Sequence, residues 1–215
     1  MVTLHLYFHN LDIYIKAKIN FNEMFTHRSS TKKGSNGYKS FKEDSKAAIK
    51  ATDSIMPLLN KIFKGECVSN EKTKNNLDLM HGIDIIVNNV AGRDEPIYVG
   101  ARCQFGTNYK GFTLRFKRTT GTKTEIEKRI EQIESGELYP HFTYQAFFEH
   151  YEKGVKPKLL SIAVMKTKDL FKEIMESEYT VENRSDNVFL SLRWCYIKSH
   201  IQIYENIDGK IVRTR

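Results

Sequence analysis

The chain has 215 residues, of which 40% are hydrophobic and 28% charged, as is usual for a globular protein of one domain with a substantial core. No apolar run approaches the roughly 20 residues that cross a bilayer, so no membrane association is expected. The three cysteines are odd in number and far apart, which argues against a disulfide framework and predicts a reducing, cytoplasmic location.

The net charge of +8 favours a polyanionic partner, although a basic protein is common and the charge alone decides nothing. Basic residues gather in two places, within 27–46 and within 110–123. In the second, the aromatic residues Tyr109, Phe112 and Phe116 either stack on bases or pack beneath a strand. We predict nucleic-acid contact, with DNA favoured over RNA, through Arg28, Lys32, Lys33, Lys39, Lys110, Arg115, Lys117 and Arg118.

The N-terminal third of the chain predicts strands, a loop and a helix in that order. Loose alternation over 3–21 predicts one or two strands, and the polar residues 26–40 predict a mobile basic loop. Apolar residues at helical spacing predict a helix over about 40–63, which Pro57 should kink or split. Residues 64–76 are polar and predict a connector.

The middle of the chain predicts three strands and a well-delimited helix. Apolar runs separated by turn residues predict strands at about 82–90, 96–105 and 111–118. The helix is expected over about 124–135, capped by Thr122 or Thr124, with Gly136 just past its last turn.

The C-terminal part continues with a strand at 141–151, a buried strand at 159–165, a helix at 167–177, and strands at 188–197 and about 200–204. The element order predicts an α/β (α+β) fold in which helices flank a central mixed sheet. We expect a single domain over 1–215, with its core at about 40–165 and a C-terminal strand extension over 178–215.

One acidic and one basic residue stand out among these strands. Asp84 lies inside an apolar run, and period two places Gly100, Arg102 and Gln104 on one face of the next strand. In this order of elements, these residues resemble the PD-(D/E)xK nuclease superfamily, which has the restriction-endonuclease-like fold. The resemblance covers about residues 40–165. It implies that Asp84 holds Mg²⁺ or Mn²⁺, which activates water for attack on a phosphodiester.

The chain departs from the pattern of that superfamily at two positions. Arg102 falls where the lysine would be and cannot act as a base, and Gly100 falls where the second acid would be and supplies no ligand. Gln104 is then a weaker candidate ligand. The missing carboxylate could come from Asp78, from Glu43 or Asp44 on the first helix, or from Glu125 or Glu127 on the second.

Structural alternatives remain for these residues. Asp84 could form an ion pair with Arg102, which otherwise would clamp a phosphate. Gln145 either lines the cleft or packs under a helix.

The leading hypothesis is a metal-dependent nuclease that hydrolyses DNA, with Asp84, Arg102 and Gln104 at its catalytic site and a homodimer as one possible assembly. The competing hypothesis is a catalytically inactive nucleic-acid-binding or inhibitor protein on the same fold. Gly100 is the best sequence argument for the second hypothesis.

Overall fold

The computed structural model describes residues 41–69, 77, 81–118, 123–176, 180–184 and 187–215. At 41–45, 117–118, 175–176, 180–184 and 187 only the backbone is described. The strands predicted within 3–21 and the basic loop predicted at 26–40 lie outside these ranges.

Three helices and ten strands make up the described part of the chain. In order they are α1 (Phe41–Phe63), β1 (Glu66–Ser69), β2 (Ile85–Asn88), β3 (Ile97–Phe105), β4 (Gly111–Arg118), α2 (Glu125–Ser135), β5 (Phe142–Phe148), β6 (Leu159–Lys166), α3 (Thr167–Glu176), β7 (Thr180–Arg184), β8 (Asn187–Arg193), β9 (Ile201–Ile207) and β10 (Lys210–Arg213). A short 3₁₀ turn, Trp194–Tyr196, follows β8.

Seven strands form a mixed sheet in the order β1-β2-β3-β5-β6-β9-β10. Neighbouring strands are antiparallel except β3 and β5, which run parallel and are joined by a long crossover that contains β4 and α2. The remaining strands form a second, antiparallel sheet in the order β4-β8-β7. The predicted class is confirmed, since helices flank a central mixed sheet in an α+β fold.

The large sheet buries a different apolar cluster on each face, because successive side chains of a strand alternate in direction. On one face α1 contributes Ala51, Ile55 and Leu59, which pack with Ile85 and Val99. On the other face β4, β8, α2 and α3 surround a second cluster that includes Phe112, Phe147, Met165, Leu170 and Trp194. Of those elements, β4 and α2 also line the cleft described below.

Several predicted elements differ from the structure. The strand predicted at 111–118 forms, but it belongs to the second sheet rather than to the sheet of its two predecessors. The predicted connector contains β1, which pairs along its whole length with β2. The mostly polar residues of this segment do not show a strand pattern. The edge strands β7 and β10 were also not predicted.

Of the kink or split predicted at Pro57, the split is wrong, because α1 runs continuously through that residue. Pro57 is exposed, whereas Ala51, Ile55 and Leu59 are almost fully buried against the sheet on either side of it. Packing of that apolar face compensates for the hydrogen bond that proline cannot donate. None of the described helices is long and apolar enough to cross a membrane.

Candidate functional site

A cleft of about 360 Å³ opens where β3, β4, β5 and α2 meet. Strands β3, β4 and β5 supply its floor, while α2 and the segment before β2, which are hydrogen-bonded to each other, line its side. It is lined by His81, Gly82, Asp84, Gly100, Ala101, Arg102, Phe112, Thr113, Leu114, Arg115, Lys123, Glu125, Lys128, Arg129, Gln132, Thr143 and Gln145. Two of the three predicted catalytic residues, Asp84 and Arg102, therefore lie in one cleft.

Asp84 lies immediately before β2 rather than within it. Its backbone N–H donates to the carbonyl of Val99 at 3.0 Å, and its Oδ2 accepts from the backbone N–H of Ala101 at 2.6 Å. The side chain thus extends the pairing of β2 with β3 by one step. This contact fixes the carboxylate beside Gly100 and Arg102.

Arg102 projects from β3 and forms an ion pair with Glu125 across the cleft. Glu125 occupies the first turn of α2, where a carboxylate also suits the positive end of the helix. A capping box fixes this turn: the hydroxyl of Thr124 accepts from the N–H of Glu127 at 3.3 Å, and Oε2 of Glu127 accepts from the N–H of Thr124 at 2.7 Å. Of the two threonines that could cap the helix, Thr124 does so.

The structure gives a steric reason for the glycine at position 100. A Cβ at this position would lie 3.2 Å from the carbonyl oxygen of Gly82 and 3.2 Å from Cγ of Pro140. Both distances are shorter than ordinary van der Waals contact, and one neighbour is backbone that cannot rotate away. An acidic side chain therefore does not fit here unless its surroundings shift.

Arg129 and Gln132 form a buried polar wall on α2 that sequence reasoning missed. Nη1 of Arg129 donates to the carbonyl of His81 at 2.5 Å and to Oε1 of Gln132 at 2.8 Å. Burial lowers the pKa of Arg129, while Glu125 and Asp84 act to raise it. The available signal was the three-residue spacing of Ile126, Arg129 and Gln132, which puts all three on one side of the helix.

The described donors of this cleft make only part of the Mg²⁺ or Mn²⁺ site that the resemblance implies. Among the described residues, no three histidine, cysteine, aspartate or glutamate side chains come together closely enough to hold a metal ion. Asp84 and Glu125 are the two carboxylates that line the cleft, and Arg102 already binds Glu125. Asp78 and the side chain of Glu43 lie outside the described residues, so their role as metal ligands stays a prediction.

The remaining predicted site residues are dispersed. Gln104 does not belong to the lining of this cleft, although it lies on β3. Lys110 is half-exposed outside the cleft, where it pairs with Glu205 at 2.6 Å. Arg115 does line the cleft. Arg28, Lys32, Lys33 and Lys39, together with the side chains of Lys117 and Arg118, lie outside what is described.

Gln145 lines the cleft, which settles the two alternatives left open for it. Gln145 lies on β5 and is only 1% exposed. It is directly opposite Arg102 in the parallel pairing of β5 with β3. Thr113 of β4 lies beside it, since the backbone N–H of Thr113 donates to Oε1 of Gln145 at 3.4 Å.

Comparison of the chain with models of known families gave no match, and neither the curated proteins nor the solved structures include one that matches.

Proposed function

We propose that the protein binds nucleic acid, with the cleft between β3, β4, β5 and α2 gripping the phosphodiester backbone. The observation that carries this proposal is the charge of the lining. Five basic and two acidic side chains line the cleft, an excess of three positive charges in a space large enough for a nucleotide. The basic side chains are Arg102, Arg115, Lys123, Lys128 and Arg129.

The placement of these cations suits a phosphate ligand. Lys123 and Lys128 are exposed at the rim, where Lys123 pairs with Glu131 at 2.7 Å, whereas Arg102 and Arg115 are half-buried. Arg102 is held in place by Glu125, and the guanidinium of Arg115 lies 5.4 Å from the ring centre of Phe189. Arginines held in this way lose little side-chain entropy when they bind an anion in a bidentate manner.

The test is binding of a fluorescently labelled 20-nucleotide single strand and of a duplex, in EDTA, at 50–200 mM KCl. Arg115→Met removes one charge from the cleft while keeping most of the apolar stem over Phe189. Arg213→Met makes the same change at an exposed arginine on β10, outside the cleft.

We expect Arg115→Met to weaken binding and to lower the dependence of log K on log salt by about 0.7–0.9, which is the contribution of one phosphate contact. The variant at Arg213 should bind as the unchanged protein does. Equal losses in both variants, or no binding to either nucleic acid at 50 mM salt, would overturn the proposal.

Phosphodiester cleavage is the second candidate function, and one observation favours it: Asp84 and Glu125 are carboxylates in the same basic cleft. Supercoiled plasmid, single-stranded DNA and RNA would be incubated with Mg²⁺, Mn²⁺ or EDTA. Asp84→Asn is the informative variant because it keeps an oxygen to accept from Ala101. Asp94→Asn, at an exposed turn, is its control.

Metal-dependent cutting that disappears in Asp84→Asn and persists in Asp94→Asn would establish the enzyme. Binding without cutting in all three proteins would leave nucleic-acid binding as the function.

A further inference from the structure

The floor of the cleft carries two buried polar atoms that have no hydrogen-bond partner among the described residues. They are Nε2 of Gln145 and Oγ1 of Thr113, on side chains exposed by 1% and 4%. A buried polar group without a partner destabilises a protein, so such groups are rare in folded chains. Two neighbouring ones on the floor of a cleft indicate that a ligand satisfies them.

The orientation of the amide follows from its one hydrogen bond. Because Oε1 of Gln145 accepts from the N–H of Thr113, Nε2 must be the group that remains to donate. Thr143, two residues earlier on the same strand face, is already satisfied, since its hydroxyl bonds that of Thr167 at 2.9 Å. The floor thus offers an amide donor beside a hydroxyl that can donate or accept.

The cleft combines charged groups with neutral polar ones. The lysines are exposed, Arg102 and Arg115 are half-buried, and Arg129 is buried with hydrogen bonds to His81 and Gln132. The groups of Gln145 and Thr113 that lack a partner are neutral. A nucleotide offers the same two kinds of group, with its charge on the phosphate and neutral donors and acceptors on the edge of the base. A base paired within a duplex has that edge occupied by its partner base, whereas an unpaired or extruded base can present the edge to a protein.

We propose that the cleft receives an unpaired nucleotide, whose base edge hydrogen-bonds Nε2 of Gln145 and Oγ1 of Thr113 while the basic rim holds its phosphates. This inference rests on the proposed nucleic-acid binding and specifies its substrate class as single-stranded or locally unpaired nucleic acid. Gln145 and Thr113 then contribute specificity for a base, and Arg115 and the rim lysines contribute affinity that does not depend on sequence.

The test compares three labelled 20-nucleotide ligands in EDTA: a mixed-sequence single strand, the same strand with abasic sites throughout, and a duplex. The abasic strand keeps every phosphate and removes every base edge. Gln145→Met removes the amide at nearly constant volume. Gln202→Met makes the same change on β9, where the glutamine accepts from the hydroxyl of Tyr204 outside the cleft.

We expect the wild-type protein and Gln202→Met to bind the intact strand roughly tenfold more tightly than the abasic strand. A tenfold difference in affinity is what one or two hydrogen bonds to the base would contribute. Gln145→Met should show a smaller preference for the intact strand, with an unchanged salt dependence. Thr113→Val is the second variant, because it removes the other floor group and should fold at least as well as the unchanged protein.

Equal binding of intact and abasic strands by the unchanged protein, with the salt dependence intact, would overturn the base pocket and leave backbone binding standing. So would a preference for the intact strand that is undiminished in both Gln145→Met and Thr113→Val. Failure to bind any of the three ligands would instead overturn the nucleic-acid function itself.

Discussion

Replacement of Thr113 by valine should stabilise the free protein, which is an unusual outcome for a buried residue. The hydroxyl of Thr113 is buried and has no partner within the described structure, so removing it relieves a desolvation penalty of about 1–3 kcal/mol. Valine keeps the branched shape that suits a strand, and the backbone N–H still donates to Gln145. We expect the free energy of unfolding to rise by about 1 kcal/mol.

Thr52→Val is the matched control, because it makes the same chemical change at a hydroxyl that is satisfied. Oγ1 of Thr52 lies 3.2 Å from the hydroxyl of Tyr144, which is fully buried and would lose that partner. This variant should lose about 1–3 kcal/mol. The two substitutions therefore shift stability in opposite directions.

Urea unfolding followed by the fluorescence of Trp194, the single tryptophan, measures both changes. The slope of free energy against urea should be the same in all three proteins, so that midpoints report stability directly. If Thr113→Val loses as much stability as Thr52→Val, the hydroxyl of Thr113 is satisfied in the free protein. The argument for a ligand at the floor would then fail.

Three further predictions concern the walls of the cleft and the core beneath it. Thr124→Ala should cost about 1 kcal/mol in urea unfolding, because it removes the cap that fixes the first turn of α2; no change would mean that the capping box contributes nothing. Gly82→Ala should weaken nucleic-acid binding at fixed salt and lower the melting temperature. The residue has φ of 61°, and an added Cβ would collide with Arg129. A variant with the same affinity and melting temperature as the wild-type protein would contradict this prediction. The free energy of unfolding should fall as pH rises from about 9 towards 11. Burial raises the pKa of the Cys103 thiol to about 11 and also raises the pKa of Tyr144. Both groups therefore lose their protons at a lower pH in the unfolded chain than in the folded protein. A Cys103→Ala variant with an unchanged alkaline profile in urea unfolding would assign that loss of stability to other groups.

The sequence predicted elements well where the pattern and the end signals agree. For α2, the threonine cap, the acidic first turn and Gly136 in a left-handed conformation are all local features, and the helix lies where they placed it. The pairing of strands depends instead on distant contacts. The strand at 111–118 has ordinary strand residues, but its partner is β8, nearly 80 residues later in the chain, and no local pattern encodes that choice.

The sequence could predict those residues of the candidate site whose positions follow from the period of two along a strand and from the pairing of neighbouring strands. Asp84 and Arg102 were expected on neighbouring strands, and the pairing of β2 with β3 brings them together. Gln104 was expected beside them but does not line the cleft. The period of two shows which face of a strand a residue lies on, but it does not show where along that face a cleft ends. Gln145 was named in advance as a residue that either lines the cleft or packs under a helix. Its neighbour Thr113 could not have been found in this way, because it lies on a strand of the other sheet.

Three contacts involve Asp84, Glu125, which is one alternative source of the missing carboxylate, and the position where the resemblance places the second acid. Oδ2 of Asp84 accepts from Ala101, Glu125 binds Arg102, and the carbonyl of Gly82 together with Pro140 fills the space beside Gly100. Each contact has a structural effect: the first extends the pairing of β2 with β3, and the second holds an arginine at the mouth of the cleft. The third brings the segment before β2 close to β3. These contacts keep the cations of the cleft oriented and its polar floor intact, as the proposed binding of a nucleotide requires whether or not its phosphodiester is cut.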